Sequence, residues 1–275
     1  MDSPAARALV DYLNEQVEEI AAGDAGLRAG EDPIHDTRVA TRRLRSTLRV
    51  FGKLLDSEVI GDLDGELKWY AALLGDVRDC QVQLRRFGEV LDTMPDELVL
   101  GPVRSRIRNE LKEIELPARA LLGEAMESER YRALLARLRS LSTTPPWGRR
   151  AAAGRLRKRA RRARRKADRR LIAALRDGDD AMLHRARKAA KRARYAAELC
   201  EPMDKQRYKP IIKHYKKIQT VLGDHQDAVV ASAALRRMAV AAGTTVGENG
   251  FTYGLLYSRE QQIAEQSRRD AANLL

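Results

Sequence analysis

Aromatic residues make up only 5% of this 275-residue chain, with three phenylalanines and two tryptophans. So few large flat side chains, against an apolar content of 44%, favour helices packed through alanine and leucine over sheets. Cysteine is nearly absent as well. Cys80 and Cys200 each sit among apolar neighbours, which excludes a disulfide framework and reads as two small core side chains. No run of 18 apolar residues and no basic-then-apolar leader at Met1 is found, so neither a membrane span nor a secretory signal is expected, and the cytoplasm is the expected compartment. There is no glycine-rich P-loop, no Gly-x-Ser-x-Gly and no Cys/His set at zinc spacing, so the expectation is a binding protein without metal or cofactor rather than an enzyme.

Charge is plentiful and uneven. The formal net charge is +13, but residues 1–148 carry a net of −5, residues 149–170 a net of +12, and residues 171–275 a net of +6. A field of that shape attracts polyanions.

The chain reads as helical throughout. An opening helix spaces Ala6, Leu9, Val10, Leu13, Val17 and Ile20 at steps of three and four, and "AGDAGLRAGEDP", with three glycines and a proline, is expected to break it. A second helix is expected from near Pro33 to about Leu55, a third from about Leu63 to about Leu91, and one on each side of Pro117. "STTPPWG", residues 142–148, is the clearest linker. Beyond it, Leu156, Ala160, Ala163, Ala167, Leu171 and Leu175 hold one stripe through the most basic stretch, which marks a helix rather than a disordered basic tail. Helices containing "LHRARKAAKRARYAAELC" and "YKKIQTVLGDHQDAVVASAALRRM" follow, and a closing helix runs from about Phe251 to Ala272.

Two of these helices repeat. His35, Arg38, Ala40, Arg42, Arg43 and Arg45 fall opposite His184, Arg187, Ala189, Lys191, Arg192 and Arg194 at a constant offset, and "LLGDVRD" likewise falls opposite "VLGDHQD", with Lys68 opposite Lys216. Two motifs in the same order at nearly one offset imply two homologous helical lobes, residues 1–141 and 149–275.

At about 100° per residue, Arg38, Arg42, Arg45 and Arg49 lie within roughly 60° of one another, while Ala40, Leu44, Leu48, Phe51 and Leu55 form an apolar stripe about 130° away. The apolar stripe is the core face, so the arginines are expected to be displayed. Arg187, Lys191 and Arg194 repeat the stripe, with Glu198 in place of the fourth cation. Four cations on one face repel each other unless an anion compensates, and no acid lies within the first stripe. Either an acidic neighbouring helix, with Asp76 and Asp79 as candidates, or a ligand could supply the compensation.

The stretches "IHDTRVATRRLRSTLRVF" and "LHRARKAAKRARYAAELC", each followed by an "LGD" helix, resemble the two signature copies of the CHAD domain, the conserved-histidine α-helical domain. The resemblance covers nearly the whole chain, residues 1–275 as a single CHAD domain. It implies an all-α fold of two four-helix-bundle lobes related by a pseudo-two-fold axis, inorganic polyphosphate as partner, and polyphosphate granules as location. Without a Glu-x-Glu-x-Lys opening, the chain is expected to be a stand-alone member. Carried over position by position, the implied contacts are Arg38, Arg42, Arg43, Arg45 and Arg49, then Arg187, Lys191 and Arg194. Lys68, Lys216 and Lys217 come next, with Arg159, Arg162, Lys166 and Arg170 of the basic helix bordering the same groove.

His35 and His184 flank the stripes. Asp36 beside the first becomes Arg185 beside the second, so no metal-ligand set repeats, and cations around each disfavour a divalent metal. Phosphate hydrogen bonding or helix-start packing suits them better. His214 and His225 read as incidental. A nucleic-acid binder would share the charge but would add aromatic platforms, whereas only Tyr195 adjoins a stripe. A phosphate-processing accessory would need metal-holding carboxylates on the track, with Asp76, Asp79, Asp224 and Asp227 as the acids to place.

Overall fold

The computed structural model describes residues 4–143 and 152–274. Among these residues every regular element is helical. The α-helices are α1 (Pro4–Arg28), α2 (Ile34–Phe51), α3 (Ser57–Ile60), α4 (Leu63–Thr93), α5 (Val103–Glu127), α6 (Glu129–Thr143), α7 (Ala153–Asp177), α8 (Asp180–Cys200), α9 (Lys205–Gly243) and α10 (Phe251–Ala272). Short 3-10 turns follow α2, α4 and α8.

Two helix boundaries depart from the sequence reading for identifiable reasons. The glycines of "AGDAGLRAGEDP" do not end α1, which continues to Arg28. Gly23 and Gly26 serve close packing instead: a Cβ at 23 would lie 2.0 Å from Thr37 Oγ1, and one at 26 would lie 3.1 Å from the Pro33 ring. The chain turns only at Gly30, where φ is 80°, a value glycine adopts without steric cost. Pro117 lies inside α5 rather than between two helices. Of the expected linker, residues 142 and 143 belong to the end of α6, and the remainder lies outside the described residues.

The chain forms two compact units, Met1–Gly75 with Leu121–Gln219, and Asp76–Ala120 with Thr220–Leu275. These units do not follow the expected boundary at 142–148, because each draws one stretch from before it and one from after it. In the first unit α7 and α8 run along each other, α2 packs on α1, α7 and α8, and α1 also meets α6 and α8. Alanine makes the closest of these contacts possible: Ala160, Ala167 and Ala174 of α7 and Ala186, Ala189, Ala190 and Ala193 of α8 are all buried. Leu9, Leu13 and Ile20 of α1, with Leu44, Leu48 and Phe51 of α2, fill the rest of that core, as the sequence spacing predicts. Cys200 is buried there too.

The second unit has its own core of Phe87, Leu91, Val103, Ile107, Leu111, Leu235, Met238, Tyr253 and Leu256. Within it the Arg86 guanidinium donates to both carboxylate oxygens of Glu260, at 2.8 Å from Nε and 2.6 Å from Nη2. His225 is buried in this unit and accepts from Arg268 Nε at 3.0 Å. Cys80, also of this unit, is buried. No helix among the described residues is long and apolar enough to cross a membrane.

Candidate anion-binding site

Every cation expected to meet the ligand, with His35 and His184, falls in the first unit. The α2 stripe is less open than its spacing predicts. His35 and Arg49 are exposed, but Arg38, Arg42, Arg43 and Arg45 are half-buried, because neighbouring helices reach them: α4 meets Arg38 at Gly75 and Arg45 at Asp64, and α8 meets Arg43 at Tyr195 and Glu198. The Nε atoms of Arg42 and Arg43 are buried without a hydrogen-bond partner. Burial is the largest influence lowering the Arg42 pKa, with the charges of Arg38 and Arg187 adding to it, while the Tyr195 phenol acts in the opposite direction, first through its charge. Arg38 crosses α4 where that helix has no side chain: its Nη2 lies 3.2 Å from where a Cβ of Gly75 would stand. The glycine of the first "LGD" therefore leaves room for an arginine of the stripe.

On α8, His184, Arg187, Lys191 and Arg194 are half-buried. Arg194 donates to Glu198 Oε1 at 2.7 Å and to Gln219 Oε1 at 3.2 Å. Glu198 also accepts from the Tyr12 hydroxyl at 3.2 Å and stands 3.8 Å from Arg43. The position that breaks the second stripe thus neutralises part of the first. Between them lies the Tyr195 ring, 3% exposed, with the Arg43 guanidinium 5.7 Å and the Arg194 guanidinium 5.3 Å from its centroid. Cations over a ring face are attracted by its quadrupole, so this tyrosine ties α2 to α8.

Further along α2 the cations of three helices converge. Arg45 and Arg49 share one acid, Asp64, in the first turn of α4. Burial and the charges of Arg170, Arg49 and Arg45 lower the Arg192 pKa, while Asp64 opposes them. Lys188 is lowered by burial and then by Arg192, Arg45 and Arg49. Lys166, in turn, is lowered first by the charge of Arg170, then by burial and by Arg192 and Arg169. Arg45, Arg49, Lys166, Arg170, Lys188 and Arg192 therefore form one continuous cluster across α2, α7 and α8. A depression of about 300 Å³ adjoins it, lined by Lys166, Arg169, Arg170, Ala173, Met182 and Arg185. A larger cleft of about 520 Å³ is lined by Asp11, Glu15, Glu198 and Glu201 as well as Arg7 and Arg43, a mixed field ill-suited to a polyanion.

Within the first unit Asp64 is the acid paired with Arg45 and Arg49 of the first stripe, while Asp76 and Asp79 belong to the second unit. Of the α7 candidates, Lys166 and Arg170 join the cluster, while Arg159 is half-buried and Arg162 exposed nearer the start of the helix. Lys68 on α4 and Lys216 and Lys217 on α9 are exposed. The sequence reading missed Lys188 and Arg192 as site residues. The signal was present, since Arg192 falls opposite Arg43 in the repeat and Lys188 lies one turn before it. Among the described residues no three His, Cys, Asp or Glu side chains gather as a metal-holding group.

A family model described as "CHAD domain" matches residues 11–236. An uncharacterized protein of Mycobacterium tuberculosis (strain ATCC 25618 / H37Rv) is 36% identical over 274 residues, which cover 93% of this chain and 50% of that protein. The chain spans about half the length of the curated relatives it matches. Two solved structures share the fold: PptA from Streptomyces chartreusis, with a TM-score of 0.82 at 23% identity over 99% of both chains, and the CHAD domain from the plant Ricinus communis, with a TM-score of 0.73 at 25% identity over 100% of this chain and 93% of that one.

Proposed function

The chain belongs to the CHAD domain family, and from that premise we propose that it binds inorganic polyphosphate along the cations of α2, α7 and α8, associating with polyphosphate granules in the cytoplasm. The observation that carries this reading is the run of like charges from Arg45 and Arg49 through Lys188 and Arg192 to Arg170 and Lys166, with Asp64 paired to Arg45 and Arg49 at one end. Such an excess of like charge lowers the pKa of its own members and is relieved by a polyanion. Polyphosphate carries about one charge per phosphate and no bases, so it needs a track of cations and no stacking faces. Guanidinium forks and ammonium groups meet its oxygens well.

Binding without turnover is part of the proposal, as is the descent of residues 1–141 and 149–275 from one duplicated lobe. Nucleic acid suits the site less well. The aromatic side chain among the cations, Tyr195, is buried under Arg43 and Arg194, and the Trp69 ring is covered by Arg130 at 4.2 Å. Neither offers a face on which a base could stack.

The test compares labelled long-chain polyphosphate binding to the native protein and to R49Q/R192Q at physiological salt, with helicity followed by circular dichroism. Affinity is expected to fall at least tenfold with helicity unchanged, and the dependence on salt to become shallower by roughly 1 to 2 in logarithmic slope for two lost cations. Undiminished affinity in the double variant contradicts the site.

A further inference from the structure

Asp64 brings a carboxylate into the cluster of α2, α7 and α8 cations described above. Its Oδ1 accepts from Arg45 Nε at 3.2 Å and from Arg49 Nε at 3.1 Å. Its Oδ2 accepts from Arg49 Nε at 2.9 Å and Nη2 at 2.8 Å. The carboxylate therefore fills the fork of Arg49 and reaches Arg45, the same donors that would meet two phosphate oxygens.

The arrangement lies at the solvent edge. The Arg49 side chain is 43% exposed and that of Asp64 34%, so an arriving anion can reach it, and pairs so exposed are individually weak. Asp64 also has a second stabilising environment available. It stands in the first turn of α4, where the helix dipole favours a negative charge. Lys188 and Arg192 feel the charges of Arg45 and Arg49, and Arg192 also that of Arg170, so these three cations can hold other parts of the same polyanion.

We infer that Asp64 is a tethered counter-ion that a ligand must displace from Arg45 and Arg49, and that it thereby sets a minimum chain length for occupying this end of the track. This inference rests on the polyphosphate reading above. A carboxylate on the same protein competes at a high effective concentration, which a short phosphate free in solution does not match. A long chain already held at Lys188, Arg192 and Arg170 presents its next phosphates at a comparable effective concentration, and so exchanges with Asp64 on nearly equal terms. Length is then read as the ability to be anchored elsewhere while Asp64 is being replaced.

The experiment measures dissociation constants for tripolyphosphate and for long-chain polyphosphate with the native protein, D64N, and E19Q. Glu19 is exposed on α1, so E19Q controls for the change in net charge alone, and melting temperatures show that each variant is folded. D64N is expected to tighten tripolyphosphate binding at least tenfold while long-chain binding tightens less than threefold; E19Q is expected to move both by less than twofold. If long-chain polyphosphate binds the native protein but D64N leaves tripolyphosphate binding unchanged or weaker, the inference is overturned and Asp64 only orients the two arginines. An equal gain for both ligands overturns it too. If long-chain polyphosphate binds neither the native protein nor D64N, the functional reading fails and the inference falls with it.

Discussion

Gly23 of α1 and Thr37 of α2 meet so closely that a Cβ on the glycine would stand 2.0 Å from the Thr37 hydroxyl oxygen. Thr37 is wholly buried, and its hydroxyl donates to the Pro33 carbonyl at 2.8 Å. This contact sets α2 against α1 and so fixes the helix that carries Arg38 to Arg49. Alanine at position 23 would gain roughly 1 kcal/mol of helix propensity, but forcing a methyl group into that contact costs about 1–3 kcal/mol. Gly23→Ala is accordingly expected to lower the urea midpoint. At Gly88, inside α4, an added Cβ meets nothing within 4 Å, so Gly88→Ala is expected to raise it. The two variants measured side by side separate packing from propensity.

The buried pair in the second unit gives a prediction of different kind. The Glu260 side chain is 2% exposed and that of Arg86 21%, and although burial alone would lower the Arg86 pKa, the Glu260 hydrogen bond and charge raise it overall. Removing one member leaves a buried charge uncompensated, at about 3–5 kcal/mol. Glu260→Ala is expected to cost that much in chemical denaturation. The double replacement R86M/E260L, which removes both charges, is expected to recover most of the loss. A double variant no better than the single would show that the pair is more than a satisfied charge.

The Cys200 thiol provides a pH signature. Burial pushes its pKa from 9.0 up to about 12, partly opposed by a hydrogen bond to Tyr208, and the Tyr208 phenol is pushed from 10.0 to about 12, chiefly by burial. Both shifts are upward, so the folded state favours the protonated forms. Their contribution is complete below about pH 9 and is lost as pH rises toward 12. Melting temperature is expected to hold up to pH 9 and then decline. At pH 8 both thiols are expected to react with a disulfide reagent only as fast as the protein opens, since Cys80 is buried too. Rapid reaction of the folded protein would contradict the burial described here.

Tyr195 predicts a graded effect. Tyr195→Phe keeps the ring beneath Arg43 and Arg194 and loses only the hydroxyl, whose influence raises the Arg42 pKa, at about 0.5–1 kcal/mol. Tyr195→Leu also loses the two ring–cation contacts, at about 0.5–1 kcal/mol each. Stability measured by urea unfolding is expected to fall in that order, Phe before Leu.

The all-α character and the positions of most helices could be read from the sequence, down to the Phe251–Ala272 bounds of α10. Apolar residues at helical spacing are a local signal, and here local propensity and burial agree. What the sequence concealed depends on partners distant along the chain. Gly23 and Gly26 looked like breaks because nothing local announces Thr37 or Pro33 as the neighbours that need the space. The arginines of α2 looked displayed because their own helix has one apolar face, yet α4 closes on Arg38 and Arg45, and α8, more than a hundred residues on, closes on Arg43. Asp64 is only fifteen residues from Arg49, but it starts the next long helix, and which of that helix's acids comes back to the stripe is set by the turn between them. The compact units combine stretches from both halves of the repeat, which a linear boundary cannot convey.

The most direct measurement is a competition titration, with labelled long-chain polyphosphate displaced by single-stranded RNA, duplex DNA or short phosphates at equal phosphate concentration and physiological salt. A track built for a bare phosphate chain predicts that long polyphosphate wins by at least tenfold, about 1.4 kcal/mol. RNA competing equally would contradict it, and the cations of α2, α7 and α8 would then act as a general polyanion surface.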